Sequence, residues 1–328
     1  MVCQYGGCRP DWTHRVVVLG SSRPMTSHCQ QDCQQDCQEG LPETAAYIDT
    51  QEALERLCAQ LALRTFVALD TEFVRERTYL PQLCLLQVAA PGVLAVVDPL
   101  VLSDVSPLWE IVKSRAITKV LHAGRQDLEI FYEHHQIVID PLFDTQLAAT
   151  LLGYGEQVGY GALVEAACGV TLEKAYTRTD WTSRPLHPGQ LRYAADDVRY
   201  LVPLYQQMQQ KLEQDGQQSR MTEECANLAE VAMCGTLPVN AWKRVRGFQT
   251  LEGKPLVLLQ HLAAWREQQA RAENRPRRWI VADDVLLKLA RHPPQSFEHL
   301  QRIGGIEMGA LRRYGHEWIA LLHPASED

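Results

Sequence analysis

An α/β domain built on a mixed sheet flanked by helices, followed by a small all-helical domain, is the architecture to expect here, on three grounds. Strand-like runs come in succession and then alternate with helical ones up to about residue 213. From Lys254 onward the apolar periodicity is helical, with no convincing strand. The charge divides along the same line. Gly235 to His323 carries fourteen Lys and Arg against eight Asp and Glu, a net of +6, whereas residues 1–234 carry −12 in a chain whose total is −8. With 328 residues, 46% of them apolar and 22% charged, the chain has the composition of a soluble protein and the length for two ordinary domains.

Residues 1–40 stand apart as a Cys- and Gln-rich extension. Its repeat "CQQDCQQDCQ" puts Cys29, Cys33 and Cys37 at a spacing of four, which could gather thiolates on one helical face. Zinc sites more often use closer pairs with a second pair further on, so disorder is the expected state, and Met25 is another possible start. The apolar run "VVVLG" is too short for a signal-peptide core, and nowhere do eighteen apolar residues run together. The expectation is therefore a cytoplasmic protein that does not span a membrane.

Within residues 41–213 the elements follow in order. "TQEALERLCAQLA" has Thr50 as a possible cap and a stripe of Ala53, Leu54, Leu57 and Leu61, so a helix covers Thr50 to Ala62. Strands follow in "TFVALDTEF", "QLCLLQVAA", "VLAVVDP" and "ITKVLHA", with a helix in "SDVSPLWEIVKS" before the last of them. "DLEIFYEHH" is helical, "FDTQLAATLLG" is a helix capped by Asp144, and "GYGALVEAACG" is a further short one. A long helix is expected from Pro188 to Gln214. Residues 214–250 read as a linker and connecting helix, "EQDGQQSRM" having linker composition, and residues 324–328 as a tail. The helical domain of residues 251–323 is punctuated by Arg275-Pro276, Pro293-Pro294 and Gly304-Gly305. Cys58, Cys84 and Cys168 lie in apolar periodic segments as small buried thiols.

The chemistry is suggested by acids in unusual places. In "FVALDTEF" a buried strand ends on Asp70 and Glu72, which share one face about 7 Å apart along the chain. Two such charges raise each other's pKa unless something positive lies between them, and a divalent cation is the simple solution. A strand end reaching solvent is the plainer alternative. Asp127 follows a strand at the start of a helix, where a capping role competes. In "LRYAADDVRYL" Tyr193 and Asp197 are four apart on one helical face, while Asp196 points elsewhere. An ordinary amphipathic helix is the alternative there.

Taken in order, Asp-x-Glu on a strand, Asp at a strand–helix junction and Tyr-x-x-x-Asp on a late helix resemble the DEDD superfamily of 3′–5′ exonucleases, in its tyrosine-containing subgroup. "ALDTEFVRERTYLPQLCLLQVA", "KVLHAGRQDLEIF", "FDTQLAATLLG" and "TDWTSRPLHPGQLRYAADDVRYL" are similar to blocks of the ribonuclease D family, and the basic tail resembles the helical HRDC domain that family shares with RecQ-type helicases. The resemblance spans roughly residues 45–323. It implies a ribonuclease H-like sheet and a 3′–5′ exoribonuclease that releases nucleoside 5′-monophosphates by two-metal hydrolysis, with Mg²⁺ or Mn²⁺ suited to hard oxygen ligands. It further implies that Asp70, Glu72, Asp127 and Asp197 hold the metals and that Tyr193 orients the attacking water. The implied partner is RNA with a single-stranded 3′ end, tRNA precursors in particular, with no obligate protein partner. The tail has room for one helical domain where some relatives carry two.

Other residues are weaker candidates. Thr71 and Phe73 flank the first acids, Gln82 and Gln87 lie on the next strand, His122 is near Asp127, and Trp181 sits in a polar loop; each could contact substrate or simply pack. In the tail Arg271, Arg275, Arg277, Arg278 and Lys288 form the densest basic zone, to grip RNA or to stay solvated. A DNA exonuclease of repair would use the same chemistry, and a non-catalytic RNA-binding scaffold is a third reading that the complete five-residue set argues against.

Overall fold

The computed structural model describes residues 41–173, 175–176, 179–235 and 237–323. The Cys-rich extension with Cys29, Cys33 and Cys37, the possible start at Met25 and the last five residues lie outside the described residues. A six-stranded sheet organises the first part of the chain. It comprises β1 (Ala46–Ile48), β2 (Phe66–Val74), β3 (Gln82–Ala90), β4 (Val93–Val97), β5 (Thr118–Leu121) and β6 (Leu142–Asp144), in the order β1-β4-β3-β2-β5-β6. β3 runs antiparallel to both its neighbours, while β1 is parallel to β4, and β2, β5 and β6 are parallel to one another. The mixed sheet is as expected.

Alternation along β2 divides the interior. Phe66 and Ala68 face one core cluster, and Val67 and Leu69 face the other. The first cluster is covered by α4 (Thr145–Leu151), α5 (Tyr160–Cys168), α6 (Pro188–Arg199) and α7 (Leu201–Gln214). The second is covered by α1 (Gln51–Leu61), α2 (Ser106–Lys113) and α3 (Arg125–His135). α1 begins on Thr50, whose hydroxyl accepts from Ala53 N at 3.4 Å, and its stripe of Leu54, Leu57 and Leu61 is buried. Cys58, Cys84 and Cys168 are buried, as expected.

Three departures from expectation have local causes. The helix expected from Pro188 to Gln214 is broken at Tyr200. Pro203 has no N–H to give to the Arg199 carbonyl, and the Tyr160 hydroxyl donates to the Asp196 carbonyl at 2.9 Å, so helical bonding fails on both sides of the break. β1 and β6, three residues each, are too short to show a period. The segment with linker composition turns at Gly216, in the left-handed region at φ 66°, and at once starts α8 (Gln218–Gly235). α8 adds Met221 and Cys225 to the first cluster and Ala232 to the second, so it packs against both cores of the sheet domain.

Two short 3₁₀ turns, Pro238–Arg244 and Phe248–Thr250, lead to α9 (Gly253–Ala272), α10 (Arg277–Ile280), α11 (Asp283–Arg291), α12 (Phe297–Gln301) and α13 (Met308–Leu322). These surround a third core built on Leu259, Leu262, Leu286, Leu289 and Trp318. Tyr79, from the connection between β2 and β3, belongs to this third core. No helix among the described residues is long and apolar enough to cross a membrane.

Candidate active site

The site forms where β2 outruns its neighbour. β5 pairs with β2 only from Phe66 to Ala68, so the strand continues through Asp70 and Glu72 with β3 alone beside it. Asp70 lies opposite Gln87, and a bulge interrupts the register after Glu72. By strand parity both acids extend the face of Phe66 and Ala68, beneath α6.

β5 leads into a tight turn that delivers Asp127. Ala123 takes a left-handed conformation at φ 51°, and a Cβ on Gly124 would come within 2.7 Å of the Leu121 Cβ, so only glycine fits there. The Asp144 carboxylate fixes the turn by accepting from Ala123 N at 3.3 Å and Gly124 N at 2.9 Å, while it also caps α4 through Gln146 N at 2.9 Å and Leu147 N at 3.2 Å. α3 then starts, and Asp127 in its first turn meets β2: the Thr71 hydroxyl and the Thr71 backbone amide both donate to its carboxylate. The side chain thus partners strand groups that β5 leaves unpaired.

α6 crosses above the sheet and brings the last two members. The Tyr193 hydroxyl donates to the Asp197 carboxylate. Asp196 turns away and pairs with Arg199 at 2.9 Å. The Tyr193 ring is held by Trp181, with centroids 6.1 Å apart, and by Tyr176 at 6.3 Å.

Burial pushes all four carboxyls up, joined in each case by repulsion from a neighbouring acid. Asp70 lies well above the usual range, through burial first and then the charges of Asp127, Asp197 and Glu72. Glu72 is pushed up to about 8 by burial, Asp197 and Asp127. Asp197 is pushed up to about 7 by burial and the Asp196 charge, against the hydrogen bond from Tyr193. Asp127 reaches about 6 through burial, restrained by the Thr71 hydrogen bonds. None of the four takes part in an ion pair among the described residues. Among those residues no three His, Cys, Asp or Glu side chains are already gathered tightly enough to hold an ion. By donor type, burial and uncompensated charge the set fits a hard divalent cation rather than zinc.

The sign of the pH dependence follows. These carboxyls bind protons more tightly in the folded than in the unfolded chain. Their contribution to stability is therefore full below about pH 4 and is lost as pH rises towards about 8. A divalent cation displaces those protons. We expect Mg²⁺ to raise Tm more at about pH 8 than at about pH 6, read by calorimetry; an equal rise at both would contradict the acid cluster as its binding site.

Among the weaker candidates, Phe73 is half-buried and Gln82 is exposed beside the site. Gln87 is fully buried, and both its amide atoms lack a hydrogen-bond partner among the described residues. Thr71, expected near substrate, has its hydroxyl on Asp127. Trp181 is 4% exposed and packs behind Tyr193, the packing alternative for this residue. His122 hydrogen-bonds Thr145 Oγ1 at 2.9 Å and lies against the Tyr160 ring at 5.5 Å, a structural placement. In the tail, Arg277 is half-buried at the domain junction and committed to Glu267 at 2.6 Å, while Arg271 is exposed, with its guanidinium 5.4 Å from the Tyr79 ring centre. Arg275 pairs with Glu273 at 3.3 Å and Lys288 with Asp284 at 3.0 Å. Arg278 is exposed and has no acid partner among the described residues.

Three residues escaped the sequence reading. Asp144 looked only like a cap, yet it also builds the turn before Asp127. Tyr160 looked like a helix start, yet it fixes the Asp196 carbonyl. Trp279, 54% exposed, stands beside Arg278 between two cavities of about 350 and 370 Å³. The run "RPRRW" was the available signal for it.

Comparison with known proteins bears on this geometry. A 3′–5′ exonuclease family model matches residues 45–213, and an HRDC domain model matches residues 256–322. Ribonuclease D of Acidiphilium cryptum is 42% identical over 266 residues, covering 80% of this chain and 67% of its own. The crystal structure of Escherichia coli RNase D, described as an exoribonuclease involved in structured RNA processing, superposes with a TM-score of 0.77 at 36% identity, over 87% of this chain and 76% of that one. Brucella melitensis NrnC with bound Mg²⁺ matches at 25% identity with a TM-score of 0.50, over 58% of this chain and 92% of that one.

Proposed function

Since the chain belongs to the ribonuclease D family and is a hydrolytic 3′–5′ exoribonuclease, we propose that Asp70, Glu72, Asp127, Tyr193 and Asp197 form its catalytic centre. The observation that carries this reading is the convergence of four carboxylates from β2, α3 and α6 at one end of the sheet, close enough for Asp127, Asp197 and Glu72 all to act on Asp70, with no ion-pair partner for any of them among the described residues.

Two divalent cations, Mg²⁺ or Mn²⁺, would supply an acidified water and charge stabilisation of the leaving oxygen when bound. Asp70, central among the acids, would be shared between them. Glu72 and Asp197 would serve the side of the attacking water, and Asp127, anchored on Thr71, the other. Tyr193 positions the water beside Asp197. A phenol is a poor base at neutral pH, so the role is positioning. The strand, the turn and α6 hold these groups on rigid elements, as preorganisation requires. The Mg²⁺ of the Brucella relative supports the choice of ion.

The substrate in this reading is RNA with a short single-stranded 3′ end, tRNA precursors in particular, and the products are nucleoside 5′-monophosphates. With Mg²⁺ or Mn²⁺ the protein should shorten 5′-labelled single-stranded RNA stepwise. Activity that survives chelation would end this reading, and preference for a matched DNA strand in competition would favour the DNA exonuclease alternative.

Trp279 and Arg278 are the tail residues best placed to meet RNA, as an exposed ring to stack on a base and an unpaired cation for a phosphate. Trp279→Ala should weaken single-stranded RNA binding by about 1–3 kcal/mol. Arg278→Ala should lower the salt slope of binding by about 0.7. Unchanged affinity and slope in titrations at several salt concentrations would remove these two residues from the interface.

A further inference from the structure

Both elements that carry the first three acids are bolted to the helical domain by buried groups that no part of the mechanism uses. Tyr79, in the connection that leaves β2 after Glu72, is 2% exposed. Its hydroxyl donates to Glu267 Oε1 of α9 at 2.7 Å, and its backbone N–H donates to Asn274 Oδ1 at 3.2 Å. The guanidinium carbons of Arg277 and Arg271 lie 4.7 and 5.4 Å from its ring centre. α3, which carries Asp127 in its first turn, ends in the same junction. The side chain of Glu133 is 1% exposed and lies 3.5 Å from Arg75 and 3.9 Å from Arg277. Glu129 lies 3.7 Å from Arg244, and His134 bonds the Pro81 carbonyl at 2.6 Å. Arg277 therefore bridges Glu133 of the sheet domain and Glu267 of the tail, beneath Tyr79.

Each acid-bearing element is thus fixed at two ends. β2 and α3 meet at the site through Thr71 and Asp127, and meet again at the junction through Arg75 and Glu133. Without the tail the second tie would lose Arg277 and Arg244, and buried Glu133 would keep only Arg75. A buried carboxylate short of partners drives its surroundings to rearrange.

We propose that Tyr79 and Arg277 are positioning residues for the reaction: through them the helical domain holds the β2–β3 connection and α3 in register, and so sets the relative placement of Asp70, Glu72 and Asp127. This rests on those acids being the catalytic centre. The tail then acts on the chemical step itself, beyond any grip on RNA. Tyr79 is buried, so its loss removes no RNA contact.

The test compares the full-length wild type, Tyr79→Ala, Tyr79→Phe and Asp70→Asn on a dinucleotide and on a longer single-stranded RNA, and follows the Mg²⁺ concentration that half-saturates the rise in Tm. Tyr79→Ala should lower kcat on the dinucleotide by roughly ten- to a hundredfold, as small misplacements of reacting groups do. It should also raise the Mg²⁺ midpoint. Tyr79→Phe, which keeps the ring between the two guanidiniums, should recover much of both. A dinucleotide kcat and Mg²⁺ midpoint equal to wild type, with only KM for the longer RNA altered, would overturn the inference. If Tyr79→Ala does not fold, Tyr79→Phe and Glu267→Gln are judged by the same two readouts. Asp70→Asn separates the failures: if it stays active the catalytic assignment falls, and if it is dead while the Tyr79 variants match wild type only the positioning role falls.

Discussion

Asp70→Ala is expected to abolish exonuclease activity while making the metal-free protein harder to melt. Asp70 is raised well above the usual range by burial and by the charges of Asp127, Asp197 and Glu72. Removing it relieves the cost of burying crowded acids, so at about pH 8 Tm without metal should rise, as it often does when a functional group held at a cost is deleted. The rate should fall by roughly a thousandfold or more, because a carboxylate that would hold the metal is lost. The Mg²⁺-dependent rise in Tm should also shrink. Asp127→Ala should behave differently, because its carboxylate accepts from the Thr71 hydroxyl and amide. It should lose activity and stability together. If Asp70→Ala melted well below wild type in the absence of metal, the acids would be packing groups and not a strained cation site.

Asp98→Ala is expected to destabilise the fold by about 3–5 kcal/mol, the usual consequence of stranding one partner of a buried ion pair. Asp98, at the end of β4, has a fully buried side chain that accepts from the Tyr47 hydroxyl, from Leu100 N at 3.0 Å and from Arg184 Nη2 at 2.8 Å. Arg184 in turn donates to the carbonyls of Cys84 at 3.0 Å and Trp181 at 2.8 Å, which straps the segment before α6 across the sheet. Trp181 backs Tyr193, so kcat should drop as well. Burial disfavours the Asp98 charge, yet the bonds from Arg184 and Tyr47 win and hold its pKa below the usual value. Its contribution is therefore present above about pH 4 and is lost as pH falls through the lower, folded value. Chemical denaturation with kinetics on the same samples would check both effects; a change within about 0.5 kcal/mol, as for ordinary surface positions, would mean the strap is not structural.

How much of this was legible in the residues depended on whether a local rule was enough. Strand parity placed Asp70 and Glu72 on one face, and helix spacing put Asp197 with Tyr193 while Asp196 turned to Arg199. Those are rules of period two and 3.6, and tertiary packing did not override them. Trp181 stayed open between contact and packing, and Arg277 was read as part of an open basic zone, because exposure is a property of the assembled fold. A tryptophan in a polar loop and an arginine in a basic run look solvated until Tyr193 and Glu267 come to meet them. Tyr79 gave no signal, since its partners lie 188 and 195 residues away. Asp144 was half read: a cap is a local pattern, whereas its grip on the turn before Asp127 spans twenty residues.

α8 touches both faces of the sheet through Met221, Cys225 and Ala232, although the exonuclease family model stops at residue 213. A dissection of the chain at that point would strip a lid from two hydrophobic interiors at once. The smallest fragment that keeps both interiors covered runs on through Gly235, and the natural place to cut is the stretch of 3₁₀ turns beyond it.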